Sequence, residues 1–222
     1  MSCVDENKRL KALLARAEQE LKARNRQLSE AVWELKKIDA TGDRSGVGDA
    51  LFFIGGIMKT RDDASAMLVN LASSLVGVTE VGGDNKGPEV EAFQRAVDGR
   101  ASGESWCMAF LMYCIIQVEA ETGLLSQVFR SESVKQVWDN SPGDHKSQLP
   151  EVGSLMIWQY GETGLGHAGL VRSFTRDIVS TIEGNTGPQD KTIEREGDGV
   201  YFKTRPTHSV GRMNLIGYLK VF

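Results

Sequence analysis

Cysteines are few, the net charge is negative and no apolar run is long enough to span a bilayer, and each of these removes a class of protein. Three cysteines, Cys3, Cys107 and Cys114, make no disulfide framework. Cys107 and Cys114 fall two turns apart on one expected helix, about 10 Å by helix rise, which is too far for a bridge. Lys and Arg number 26 against 30 Asp and Glu, a net charge of -4, so the basic surface that nucleic acid requires is missing. The apolar run Leu51 to Met58 is broken by Gly55 and Gly56 and is too short to span a bilayer. It is expected to be buried against a domain or a partner, without membrane contact. No apolar stretch follows Met1, so no secretory signal peptide is expected. His145 and His208 sit in polar loops without metal-ligand spacing, and neither a metal nor a cofactor is expected.

What is present is ordinary for a globular chain. A hydrophobic content of 41% and a charged content of 25% over 222 residues allow one sizeable domain plus an appendage. The appendage is the N-terminus. Leu14, Leu21, Leu28 and Leu35 recur every seven residues, with Leu10, Ala17, Arg24, Ala31 and Ile38 on the second seam and no Gly or Pro between. This predicts a coiled-coil helix within 1–40 that oligomerises or docks a partner through residues 8–38; a single helix packed on its own domain is the alternative. Residues 41–62 read as a linker holding the short apolar segment, and a domain is expected over 63–222.

Chemistry is concentrated further along. From Trp106 to Val118 the residues are apolar almost all round, the pattern of a helix buried inside a domain. With Ser105 or Ser102 as N-cap, Cys107 falls in the first turn, where unpaired N–H groups and the helix dipole favour a thiolate. Leu165 to Ser173 and Asp177 to Glu183 alternate as two strands joined at Thr175-Arg176-Asp177. Their pairing can bring His167 to the face carrying Glu183 and Asn185. A thiol, an imidazole and a polar group able to hold that imidazole are the parts of an activated nucleophile.

The order Trp106-Cys107-x-Ala109-Phe110, then Gly166-His167-Ala168-Gly169-Leu170-Val171, then Thr181-Ile182-Glu183-Gly184-Asn185-Thr186 resembles the CHAP branch of the NlpC/P60 superfamily. These are papain-like cysteine peptidases and amidases that cut bacterial peptidoglycan. The resemblance covers roughly Asp63 to Phe222, and Leu75 to Pro88 is similar to the family's entry segment. One departure is Ser105, where many relatives have Pro; Ser caps a helix about as well as Pro starts one. The resemblance implies an α+β, papain-like CHAP fold, with the catalytic helix packed on an antiparallel sheet.

It also implies roles. Cys107 is the expected nucleophile and His167 the acid and base, with Glu183 as first choice and Asn185 as second for orienting the ring. Asn85 is expected near the substrate groove, and Trp106, Trp158 and Tyr160 either line that groove or pack in the core. Some relatives hold calcium just before the nucleophile, but Asp98 to Ser105 has too few alternating acidic residues to copy that loop. The expected activity is hydrolysis of peptide amides in peptidoglycan, as amidase or endopeptidase. The rivals are a non-catalytic virion or docking protein and a cysteine amidase on a non-wall substrate. Without a signal peptide, a wall hydrolase made in the cytoplasm needs another route: a phage lysin, a virion-borne lysin or an injected effector.

Overall fold

A computed structural model describes residues 60–188 and 197–222. The expected coiled coil in 1–40, the Leu51–Met58 run and nearly all of the 41–62 linker lie outside these residues.

Helix α1 (Arg61–Ser74) starts at a reciprocal capping box formed by Thr60 and Asp63. Its apolar spacing buries Ala64, Leu68 and Ala72. Helix α2 (Pro88–Asp98) opens on Pro88, whose fixed φ suits the first turn, and buries Val90, Phe93 and Gln94. Helix α3 (Cys107–Thr122) is buried along most of its length, from Cys107 to Met112 and again at Cys114, Ile115 and Val118. Phe93 joins α2 to α3 by an edge-on contact with Phe110 at 5.4 Å between ring centres. The short helix α4 (Val134–Asn140) is capped by Ser133, which accepts from Gln136 N–H.

Six strands follow: β1 (Lys146–Ser147), β2 (Leu155–Tyr160), β3 (Gly166–Phe174), β4 (Ile178–Thr186), β5 (Gly199–Pro206) and β6 (Met213–Leu219). They form one antiparallel sheet in the order β1-β6-β2-β3-β4-β5, so β2 and β3 are interior, as the apolar density of β2 leads one to expect. The two-residue β1 strand was not legible in the sequence; it pairs Lys146 and Ser147 with Leu219 and Tyr218.

Alternation along the strands gives the sheet two different faces. Leu155, Ile157, Ala168, Leu170, Ile182 and Val200 pack with the three long helices in the main core. On the opposite face, Met156, Trp158, Val171, Val179, Met213 and Tyr218 form a second, smaller cluster. His167 belongs to this second face, since it pairs directly with Trp158. Two glycines permit close approaches across these layers. A Cβ on Gly184 would lie 2.8 Å from both Phe110 Cβ and Trp106 Cζ3, where α3 meets β4. On Gly169 it would lie 2.7 Å from Glu183 Cγ. The structure is therefore α+β, with the Cys107 helix packed on an antiparallel sheet.

Candidate active site

Cys107 is the first residue of α3, but neither expected serine caps that helix. Trp106 occupies the cap position, and no side-chain cap bond forms. Gly103, with φ of 79°, turns the chain just upstream, and Ser102 N–H is held locally by Glu104 at 2.9 Å. The helix start is fixed from β4 instead. Oriented to satisfy both of its amide atoms, Asn185 accepts from Trp106 N–H at 3.2 Å and donates to Gly197 O at 2.8 Å.

That arrangement corrects the expectation that Asn185 shares the Glu183 face. The β4–β5 register shifts between Glu183 and Thr186, and Asn185 takes a left-handed conformation with φ of 51°. A bulge breaks the two-residue alternation, so Asn185 turns towards the helix start and Glu183 alone meets the ring.

His167 is 7% exposed and Glu183 fully buried. The ring's Nε2 hydrogen-bonds Glu183 Oε2 at 2.8 Å, which leaves Nδ1 for the Cys107 thiol. Burial by itself would lower the His167 pKa, but hydrogen bonds to Cys107 and Glu183, together with their charges, raise it to about 9. Burial likewise pushes Glu183 up, and the hydrogen bonds and charges of Arg205 and His167 outweigh it, holding the carboxyl at about 2. Burial drives the Cys114 thiol far above its ordinary range, so that sulfur is an inert core atom.

Two partners of Glu183 were not anticipated. Arg205, 5% exposed, donates from Nε to Oε1 at 2.8 Å and from its second terminal nitrogen to Oε2, while Thr181 Oγ1 donates to Oε1 at 2.5 Å. The sequence carried no clear signal for Arg205: Tyr201, Lys203 and Arg205 alternate on β5, but only the structure shows that Lys203 and Arg205 are buried there and so call for partners. Lys203 donates to the neutral carbonyls of Gly187 and Pro188, at 2.9 and 2.8 Å.

The expected substrate-binding residues have other work. Trp106 is fully buried, stacks obliquely near Phe93 and donates from Nε1 to Glu80 Oε1 at 2.8 Å, so no ring face is open to substrate. Trp158, 3% exposed, stacks on the His167 ring at 5.8 Å and 26°. Asn85 holds a left-handed turn, φ 56°, and its carbonyl accepts from Gln94, which also binds Glu104 O at 2.8 Å. Asn85 thus braces the loop before α3 and lies outside the cavity beside Cys107.

That cavity, about 190 Å³, is bordered by Ser105, Cys107, Glu132, Tyr160, His167 and Asn185 among others. Glu132 was not anticipated either. Burial and the neighbouring carboxylates Glu104 and Asp98 raise its pKa to about 7. Among the described residues, no cluster of His, Cys, Asp or Glu has metal-binding geometry.

Taken together, a thiol at a helix start, an imidazole bonded on its far side to a buried carboxylate, and an open cavity over both suit acyl transfer through sulfur. No curated protein and no solved structure matches the chain. The family model of the CHAP domain matches residues 99–185, a segment that runs from the loop before Cys107 to Asn185 and stops short of β5. CHAP domains are typically cysteine- and histidine-dependent amidases or peptidases, with peptidoglycan as their substrate. By this match, and by the α+β fold that carries it, residues 99–185 of the chain are similar to the CHAP domain.

Proposed function

We propose that the chain hydrolyses amide bonds of the peptidoglycan peptide, as amidase or endopeptidase, with Cys107 as nucleophile, His167 as acid and base and Glu183 as the group that orients the ring. The observation that carries this reading is the bond from His167 Nε2 to the buried Glu183, which turns the other ring nitrogen to Cys107 above an open cavity.

In the resting pair the thiol proton resides on His167 Nδ1. The thiolate attacks the amide carbon, a C–S bond forms, and the carbonyl π electrons move to oxygen. The backbone N–H of Cys107 has no partner within its helix and is suited to receive that oxyanion, at a gain on the order of 3 kcal/mol in barrier if well aimed. Collapse of the intermediate breaks the C–N bond as His167 gives its proton to the departing amine. Neutral His167 then takes a proton from water, whose oxygen attacks the thioester. The acid leaves, and the thiolate–imidazolium pair is restored. Glu183 stays ionised throughout, which fixes the tautomer. Asn185 supports the cycle from behind, by holding the Trp106 N–H at the start of α3.

The place of action in this reading is the bacterial cell wall, reached from a phage or by injection. Turbidity of a cell-wall suspension tests the activity. Wild-type protein should clear it, and folded Cys107→Ala and His167→Ala should not; clearing by Cys107→Ala at the wild-type rate overturns the reading in favour of a docking body. Mass spectrometry of the released fragments then assigns the bond, because an amidase and an endopeptidase leave different new termini.

A further inference from the structure

The Glu183 carboxylate is saturated. An ionised carboxylate offers about four lone-pair sites. Arg205 takes one on each oxygen, Thr181 a second on Oε1 and His167 a second on Oε2. Arg205 also lies over the Trp158 ring at 5.4 Å, and Trp158 stacks on His167. Arg205, Glu183, His167 and Trp158 therefore close a ring of contacts in which Arg205 touches the imidazole's two supports and is kept off the imidazole itself.

Resting on the hydrolase reading above, we propose that Arg205 is a positioning residue for the Cys107–His167 pair: its guanidinium fork keeps Glu183 ionised and in one orientation, and so dictates which ring nitrogen carries the proton. The alternative without Arg205 shows why this matters. A fully buried carboxyl stripped of its counterion gains a proton more readily. A protonated Glu183 donates to Nε2, the neutral ring then carries its hydrogen on Nδ1, and Nδ1–H faces the thiol. In that tautomer nothing accepts the thiol proton, and the nucleophile is switched off. Lysine cannot replace the fork, since it keeps the charge but not the two parallel bonds. Arg205 lies on β5, beyond the segment matched by the family model.

The test uses the full chain and reads Cys107 directly. Iodoacetamide alkylation is followed from pH 4 to 10, with peptide mass spectrometry assigning the modified sulfur and Cys114 as the buried reference. Wild-type Cys107 should alkylate faster than the buried Cys114 across this range. In Arg205→Met the rate at pH 6 should fall by about tenfold or more, the scale of losing one close charge partner, and recover as pH rises. Arg205→Lys should keep the acid limb near that of wild type while reacting more slowly. A profile of Arg205→Met that superimposes on wild type overturns the proposal.

If Arg205→Met does not fold, the double variant Glu183→Gln with Arg205→Met removes both charges and leaves a neutral amide oxygen to accept Nε2–H. Its profile should match that of Glu183→Gln alone, because no ionisation of residue 183 is left for Arg205 to hold, whereas a further loss in the double variant means that Arg205 does not act through residue 183. Wall clearing is measured on the same samples. Protein that alkylates as expected yet clears no wall defeats the hydrolase reading and leaves the positioning role standing; protein that clears walls with a profile indifferent to Arg205 does the reverse.

Discussion

At the scale of single residues, the site makes a definite statement about pH. His167 is raised from 6.5 to about 9, so its contribution to folding is complete below about 6.5 and is lost as pH rises through about 9. Glu183 is lowered from 4.5 to about 2, so its contribution is complete above about 4.5 and is lost as pH falls towards 2. Between those limits both terms are in full, so the share of thermal stability that this pair supplies should be flat from about pH 4.5 to 6.5 and decline from about 6.5 to 9. Because the Cys107 hydrogen bond helps to raise His167, Cys107→Ala should move the alkaline decline to lower pH. An NMR titration of the His167 ring reads the same shift, and an unchanged midpoint in that variant would show that the thiol does not bond the ring. Glu132 has the opposite character for an acid. Raised to about 7 by burial and by Glu104 and Asp98, it favours the fold while protonated and costs stability as pH rises through 7. Glu132→Gln should therefore melt higher than wild type at pH 8 and differ little at pH 4.

At the scale of elements, two glycines separate packing from positioning. Gly184→Ala drives a methyl group into Phe110 and Trp106, both in the core, and overpacking of this kind costs about 1–3 kcal/mol in a denaturant titration. Gly169→Ala presses on Glu183, which Arg205 and Thr181 pin in place, so the alkylation rate of Cys107 should fall more than stability does. Equal losses of both in Gly169→Ala would mean that the glycine serves packing alone. These same elements show what could be read from the sequence. The buried helix from Cys107, the hairpin turning at Thr175-Arg176-Asp177 and the interior place of β2 all follow from apolar density and period, which the chain states locally. Arg205 does not, because it lies opposite Val179 while Glu183 lies opposite Tyr201, and only long side chains reaching along the sheet bring the two together. Asn185 departs from the expected face for a different reason: one left-handed residue cancels the alternation on which a strand argument depends. Asn85 and Trp106 have the composition of a groove, yet hydrogen bonds formed only in three dimensions assign them to bracing the loop and core behind Cys107.

At the scale of the molecule, residues 60–222 form one unit that contains every residue of the proposed chemistry. The heptad seam of Leu14, Leu21, Leu28 and Leu35 lies apart from it in sequence, and the proposed use of that seam is self-association or docking of a partner. If so, assembly and catalysis are separable. Placing glutamate at two adjacent seam positions, Leu21→Glu with Leu28→Glu, sets like charges where apolar knobs should meet and should abolish a coiled coil. The full-length variant should then elute as a monomer in light-scattering chromatography, where the parent elutes as an oligomer. Its rate of Cys107 alkylation should stay within about twofold of the parent, the additivity expected of sites that act independently. Clearing of intact cell walls is the informative third reading. Unchanged clearing assigns the seam to assembly alone, whereas a loss of clearing at constant Cys107 reactivity means that avidity from several copies holds the enzyme on an extended substrate. A parent chain that is already monomeric removes self-association and leaves the seam as a docking helix for a different partner.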